Sequence, residues 1–386
     1  GGLYEQQERE FSSRLIGMIT NAAGNGFTDF SLLYLPSDSI FAPENFRRNG
    51  FSIDEYVNGT NRYFAGQWVR AAYAMVDHPI ESLNLRVILG ARFENSSQSI
   101  RTRDLTNTQS IDVTKTYNDV LPSANLVYSP WETANFRAAY SQTINRPELR
   151  ELAPFSYYDF ATQYSLTGNP NLTRGIIRNY DLRAEFFPGV GEVLSVSVFY
   201  KAISDAIEQV VQPSAALGSE RTFLNAEKAK NYGAEFEARK SLSFVGDYLN
   251  NVVLSFNYAW IRSEVAFGQT SGAVETQNRP LQGQSPYVIN AGFNFTEPSL
   301  GTSLTVLYNR FGDRISEVST SLEPNIVEQA RNTLDVVIGQ TFAGRFDVKF
   351  AARNVLREPE LFKQGELVAR SNSKGAAMSL GFGVKF

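Results

Sequence analysis

The chain has 386 residues, with 36 basic and 40 acidic side chains for a net charge of −4, one histidine and no cysteine. This inventory excludes disulfide frameworks, zinc sites, thiol catalysis and any mechanism needing two histidines, and without a basic block it gives nucleic acid no electrostatic footing. Apolar residues make up 42%, yet no stretch nears the roughly 18 unbroken apolar residues of a spanning helix, so a helical membrane protein is excluded too.

Gly1 to Glu10 lack the basic start and apolar centre of a secretion signal, which predicts a mature chain or a fragment of one. Leu3 to Ile16 is a polar strand candidate, and Val69 to Met75 alternates weakly. From Ser82 to Glu94 the signal is strong: Leu83, Leu85, Val87, Leu89, Ala91 and Phe93 take one parity, and Asn84, Arg86, Gly90, Arg92 and Glu94 the other. Such a period of two marks a strand with one apolar and one wet face. Weaker versions follow at Ala124 to Tyr128 and Ala134 to Tyr140, then a clear one from Asn179 to Phe186. Further strands are predicted at Leu194 to Tyr200, Tyr232 to Arg239, Val252 to Trp260, Tyr287 to Phe295, Leu304 to Tyr308, Leu334 to Ile338, Phe346 to Ala352 and Met378 to Phe386. Short connections alternate with long polar ones near Asn95 to Lys115, Asn145 to Leu172, Val211 to Thr222, Ala266 to Gln284, Gly312 to Glu328 and Arg357 to Lys374. One end of the sheet therefore has turns and the other has loops.

A soluble sandwich and a transmembrane barrel both produce this alternation. The strands span about 10 to 16 residues, longer than the roughly 5 or 6 of a globular strand and long enough to cross a bilayer. Tyr128, Trp131, Phe186, Phe187, Phe342, Phe346 and Phe386 gather at the short-turn ends, as interfacial girdles do. The reading is an all-β, antiparallel up-and-down transmembrane barrel with about 14 strands present, its short turns periplasmic and its long loops extracellular. Residues 1–63 form an outward strand end plus a long extracellular loop, and residues 64–386 hold about 13 strands.

The run from Tyr140 through Ser141, Gln142, Thr143, Ile144, Asn145, Arg146, Pro147, Glu148, Leu149 and Arg150 to Phe155 resembles the barrel of TonB-dependent outer-membrane receptors. Gly168-Asn169-Pro170-Asn171-Leu172, Asn179-Tyr180-Asp181-Leu182, Phe199-Tyr200-Lys201, Gln282-Gly283-Gln284-Ser285-Pro286-Tyr287, Tyr308-Asn309 and Phe386 follow in the family's order. The resemblance covers nearly the whole chain from about Tyr63 onward. It implies a bacterial outer-membrane protein of a Gram-negative cell, with a 22-stranded barrel occluded by an N-terminal plug. No plug is recognisable here, so the expectation is the last 14 strands or so of a longer receptor. An open sheet in lipid strands backbone groups at several kcal/mol apiece, tens of kcal/mol in all, which supports incompleteness. A closed 14-stranded barrel is the alternative. Against it, Tyr4 to Arg14 lacks any lipid-facing parity.

Arg146 and Arg150 open the longest clear loop, where they suit an anionic ligand, and Tyr157, Tyr158 and Tyr164 suit stacking on a sugar or siderophore ring. The competing and favoured reading has Pro147 and its charged neighbours fixing the loop's exit from the strand. Arg137, Arg183, Glu185, Glu235, Glu237 and Arg239 face the lumen, where they either hold a plug or form cross-strand ladders in a wet wall. His78, next to Pro79, reads as a turn residue, and Gly168-Asn169-Pro170 as a turn with no helix behind it to cradle a phosphate. No catalytic group, metal site or cofactor is expected.

The functional expectation is a receptor barrel that captures a scarce solute at its loops and imports it with energy from TonB. Its expected partners are its own plug and remaining barrel strands, the TonB complex, the barrel-assembly machinery, outer-membrane lipid and a surface lipoprotein. The rivals are a passive porin or fatty-acid-type channel with a smaller closed barrel, and an adhesin or scaffold barrel. Phe382, Val384 and the terminal Phe386 resemble the signal read by the assembly machinery. Deleting Phe386 is expected to reduce the yield of heat-modifiable barrel in the membrane, and an unchanged yield contradicts that role.

Overall fold

The computed structural model describes residues 1–20, 29–47, 50–56, 62–103, 108–159, 164–214, 218–266, 279–319 and 323–385. In chain order, β1 (Gly2–Ser12) leads to an outlying hairpin of β2 (Leu15–Thr20) and β3 (Phe51–Tyr56), with the one-turn helix α1 (Ser37–Ile40) between them. Next come β4 (Arg62–Ile80), β5 (Leu85–Arg103), β6 (Ser110–Trp131) and β7 (Ala134–Asn145). The loop after β7 carries the short helix α2 (Leu149–Leu152) and the hairpin β8 (Ser156–Asp159) with β9 (Tyr164–Thr167). There follow β10 (Gly175–Phe186), β11 (Val193–Ser214), β12 (Gly218–Ser241), β13 (Val252–Ala266), β14 (Tyr287–Glu297) and β15 (Thr302–Phe311). A loop with β16 (Arg314–Ser319) and β17 (Ile326–Glu328) precedes β18 (Arg331–Phe342) and β19 (Phe346–Arg353). A last loop with β20 (Glu360–Gln364) and β21 (Leu367–Asn372) precedes β22 (Ala377–Val384).

Fourteen strands pair side by side and antiparallel in the order β1-β4-β5-β6-β7-β10-β11-β12-β13-β14-β15-β18-β19-β22. The expected up-and-down meander is present. Residues opposite one another share a face, so register extends each stripe across the wall. Leu85, Val87, Leu89 and Phe93 stand opposite Tyr128, Leu126, Ala124 and Val120. Among the described residues no second protein layer covers this face: Leu182 is 57% exposed, Val196 52% and Leu380 59%. The wall also curls. Phe11 of β1 and Ile207 of β11 pack against the same apolar cluster although five wall strands lie between them. On the inner face, Gly233 is a close-approach position, where a Cβ would sit 2.2 Å from the Trp260 carbonyl oxygen and 2.9 Å from the Phe199 ring.

Several expectations change. Leu3 to Ile16 is not one strand, since pairing with β4 stops at Ser12 and Leu15 opens a separate hairpin. In β4 the expected stripe lies on the inner side: Ala72, Ala74 and Val76 stand opposite Phe93, Ala91 and Leu89, which turns Val69, Ala71, Tyr73 and Met75 to the lumen. Both of its faces are apolar, so periodicity had little contrast to read. His78 sits in β4 opposite Val87, not in the turn, which spans residues 81–84. Much of the polar sequence from Asn95 to Lys115 and from Val211 to Thr222 is strand, because β5 and β6 pair out to Arg103 and Ser110, and β11 and β12 out to Ser214 and Gly218. These arms project beyond the lipid, where both faces meet water or protein and no apolar stripe is required.

Both lateral ends of the wall are free among the described residues. β22 pairs only with β19 and β1 only with β4, and every residue of β22 is exposed. Phe382 and Val384 stand opposite Val348 and Phe346 on the outer face, whereas Phe386 lies outside the described residues. Because the outer stripe faces hydrocarbon, Leu89→Arg is expected to destabilise the barrel by about 2–4 kcal/mol. The lumen-side change Ser197→Arg is expected to cost less than about 1 kcal/mol, both read by equilibrium unfolding in lipid vesicles.

Candidate functional site

The loop end of the wall is closed over by its own connections. The β11–β12 hairpin crosses a kink at Asp205, whose φ is 55°, and beyond it both hairpin arms acquire partners from other loops. β12 pairs in parallel with β9 through Glu220 and Arg221, and β11 in parallel with β16 through Val210 and Val318. β16 continues to β17, β17 to β20 and β20 to β21. A second sheet, β8-β9-β12-β11-β16-β17-β20-β21, thus crosses the mouth and ties four connections together. Two-stranded ribbons tolerate strong twist, which lets one hairpin serve the wall below and this sheet above.

Buried ion pairs fasten the layer. Arg221 binds Glu317, and Arg279 holds Glu208 at 2.5 Å. Arg370 lies 3.7 Å from Glu317 and stacks over Phe362 at 3.9 Å. Gln282 donates its backbone N–H to Glu208 at 3.1 Å and its side-chain amide to the Ser316 carbonyl at 2.7 Å, bringing the β13–β14 connection into the same unit. Charges this far from water persist only when paired and hydrogen-bonded, so each pair specifies one loop arrangement.

Below this layer the β7–β10 connection dips inward. Leu149, Leu152, Ala153, Phe155 and Leu172 form an apolar knot with Tyr63, Ala65 and Ile100 of the wall, and Phe11, Tyr157, Ile207 and Phe223 pack around it. Its start is pinned by Arg146, which pairs with Glu94 and donates to the Ser96 hydroxyl at 3.1 Å, and by Gln98, which donates to the Pro147 carbonyl at 2.7 Å. Its end is pinned by Arg174 on Asp119 at 2.8 and 2.9 Å. Gly168 is required because a Cβ there would lie 2.1 Å from the Ala153 carbonyl oxygen. Glu148 and Glu151 cap α2 reciprocally, and Glu148 donates its N–H to Glu151 at 2.8 Å. Burial first, and the Glu148 charge second, push the Glu151 carboxyl above the ordinary range against that hydrogen bond.

The sequence-predicted residues separate accordingly. Arg146 is committed to Glu94. Arg150 lies over the Tyr157 ring at 3.8 Å, so these two are brought together. Tyr158 and Tyr164 pair through backbone with Ser165 and Asp159, and their side chains lie outside the described residues. In the lumen Arg137 binds Glu185 at 2.7 Å, Arg183 binds Glu185 at 2.8 Å and Glu237 at 2.7 Å, making a cross-strand ladder. Among the described residues, Glu235 accepts from the Ser197 hydroxyl at 3.4 Å and has no ion pair, and neither has Arg239. A lumen pocket of about 290 Å³ opens between Arg183, Ser197, Glu235, Glu237, Asn257 and Asn290. Sequence reasoning missed Glu94, Asp119, Arg174, Glu208, Arg221, Arg279, Glu317 and Arg370. Their charges sit in strand arms and loops, and partners such as Arg221 and Glu317 are 96 residues apart.

Comparison with known proteins adds the family. A profile described as TonB dependent receptor-like, beta-barrel, matches residues 4–355. No curated protein matches. Among solved structures, the siderophore receptor PiuA from Acinetobacter baumannii superposes with a TM-score of 0.67 at 12% identity, covering 100% of this chain and 52% of that one. The ferric yersiniabactin uptake receptor FyuA from Yersinia pestis gives 0.57 at 16%, covering 86% and 47%. The FrpB iron transporter from Neisseria meningitidis gives 0.57 at 14%, covering 84% and 45%. At these identities the likeness is one of fold, and the chain spans about half the length of the structures it matches.

Two outcomes test the mouth. Arg146→Ala orphans part of Glu94 and is expected to lose roughly 1–3 kcal/mol and to open residues 146–174 to limited proteolysis. Glu358 is held below the ordinary carboxylate range first by the Asn332 N–H, and Glu360 first by Lys374. Because these folded-state values are depressed, their contribution is complete above the unfolded range and is lost as pH falls through the lowered values. Protease nicking within residues 354–376 is therefore expected to be absent at pH 7 and to appear below about pH 4.

Proposed function

Because the chain belongs to the TonB-dependent receptor-like β-barrel family, and so to the bacterial outer membrane, we propose that it is the ligand-capturing mouth and the larger part of the wall of an energy-coupled importer. The observation that carries this reading is the second sheet: four loop connections, knit by backbone pairing and buried ion pairs, lie over a lumen lined with hydrogen-bonding groups. Such a mouth suits selective capture, whereas a passive porin needs an open one. The two unpaired wall edges support further strands of the same receptor closing the barrel. Exposed backbone groups along β1 and β22 are untenable in hydrocarbon.

In this reading Glu235 and Arg239 offer uncommitted charge to a plug, while the Arg137–Glu185–Arg183–Glu237 ladder stiffens the wall. Arg150 with Tyr157 is the proposed ligand contact, with Tyr158 and Tyr164 beside it in sequence. TonB supplies the energy through a plug segment, and the chain itself carries out no catalysis. Ferric chelates are the first solutes to test, since the matched structures are those of an iron transporter, a ferric yersiniabactin uptake receptor and a siderophore receptor.

The experiment is uptake of a panel of radiolabelled ferric chelates and other scarce solutes by cells with and without the receptor. The expected result is one solute whose accumulation requires the receptor and stops when TonB is deleted, and whose apparent Kd rises about tenfold in Arg150→Ala. Receptor-dependent entry that persists without TonB supports a porin instead. Surface attachment without entry supports an adhesin.

A further inference from the structure

The inner face of the wall divides into two sectors. Each of the six wall strands from β5 to β12 turns at least one charge to the lumen, among them Glu94, Asp119, Arg137, Arg183, Lys201 and Glu237. On the next three strands the charges stop. The lumen-facing positions from Val253 to Ser263 on β13, Val288 to Thr296 on β14 and Ser303 to Phe311 on β15 hold no Asp, Glu, Lys or Arg. The charges these strands do carry, Arg262, Glu264, Glu297 and Arg310, all have the outer parity.

Neutral hydrogen-bonding groups take their place. Asn257, Asn290 and Asn309 stand in one register row that Thr333 of β18 continues. The Asn309 amide donates to Asn290 Oδ1 at 2.7 Å, and nearer the turns the Thr305 hydroxyl donates to Asn294 Oδ1 at 3.1 Å. Asn257 and Asn290 are exposed, and the Asn257 side chain has no hydrogen-bond partner among the described residues. The row crosses three inter-strand spacings, about 14 Å. At its β12 end it borders the lumen pocket of about 290 Å³ that Asn257 and Asn290 share with Glu235.

The two sectors suit different neighbours. A charge covered by protein loses its water and persists only when paired, so a plug that covers the charged sector is bound there by ion pairs that are costly to break. Contact with the β13–β15 face requires no such pair, and its short side chains leave room beside the wall. A moving solute needs contacts favourable enough to enter and weak enough to leave, arranged as several sites in succession. Asparagine meets this need, since each amide offers donors and an acceptor and no net charge.

We propose that the solute crosses the lumen along the β13–β15 face, its hydroxyl and amide groups exchanging water for the asparagine row, while the plug stays seated on the charged sector. This rests on the importer reading and adds to it the route and the chemistry of the cargo, which turns uncharged hydrogen-bonding groups to the wall. Asn257, Asn290 and Asn309 are the transit contacts.

The test uses the full receptor in outer membranes and has two parts. Single cysteines replace Asn257 and Asn290 in the neutral sector, and Asn125 and Ala139, which stand opposite one another on the inner faces of β6 and β7, in the charged one. A water-soluble maleimide is expected to label positions 257 and 290 within minutes and to leave 125 and 139 covered by the plug. In uptake assays N257L/N290L/N309L is expected to import the solute about tenfold more slowly, the scale of one or two lost hydrogen bonds, while binding it at the surface as before and remaining heat-modifiable. N125L/A139L is expected to import normally. Equal labelling of the two sectors, or faster labelling at 125 and 139, overturns the proposal. So does unchanged uptake in the folded triple variant, or an equal loss in N125L/A139L. Failure of the importer reading is seen separately, as an unmodified receptor with no TonB-dependent uptake, and it removes the transit route as well.

Discussion

The fold depends on one constraint: in hydrocarbon every backbone N–H and C=O must find its partner within the protein. Strands that satisfy it can only lie edge to edge, and with side chains alternating, each strand then shows one face to lipid and one to the lumen. Everything else is arranged around that wall. Leu89, Leu182, Val196 and Leu380 stay exposed because their solvent is the bilayer, while Arg183, Glu185 and Glu237 on the other parity form a ladder that a wet lumen tolerates. The same constraint bears on β1 and β22, each of which pairs on one side only among the described residues.

Beyond the lipid the rules change, and the chain switches from backbone-driven to charge-driven order. The arms of β11 and β12 leave the wall, twist past Asp205 and take up β9 and β16 as parallel neighbours, an arrangement the membrane would not permit. Arg221–Glu317 and Arg279–Glu208 then fix which loop meets which. Removing one partner of such a pair leaves an uncompensated buried charge, so each pair holds its two loops to one arrangement.

Legibility in the sequence follows the same division. Within the lipid, contrast between apolar and polar parity is enforced, so the wall strands from β5 onward could be read from stripes such as Leu85 to Phe93 or Val252 to Trp260. It failed in β4, where Ala71 to Val76 is apolar on both faces and the true outer stripe is the less conspicuous Ala72, Ala74 and Val76. Outside the lipid no such enforcement exists. Ser96, Gln98 and Thr102 read as loop although they lie in a strand, because their burial depends on a connection that returns from some 50 residues away. Lumen charges could be assigned to a face, but not divided into the paired Arg183 and the uncommitted Arg239, since pairing requires the register between strands.

The central claim is that alternate side chains of the wall touch hydrocarbon. The chain has no cysteine, so single cysteines introduced along β10 carry a fluorophore without background labelling. Quenching by brominated acyl chains against quenching by an aqueous reagent is the direct measurement. The account predicts lipid quenching at positions 180, 182 and 184 with aqueous quenching at 181, 183 and 185. Lipid quenching at neither parity, or at both alike, contradicts it.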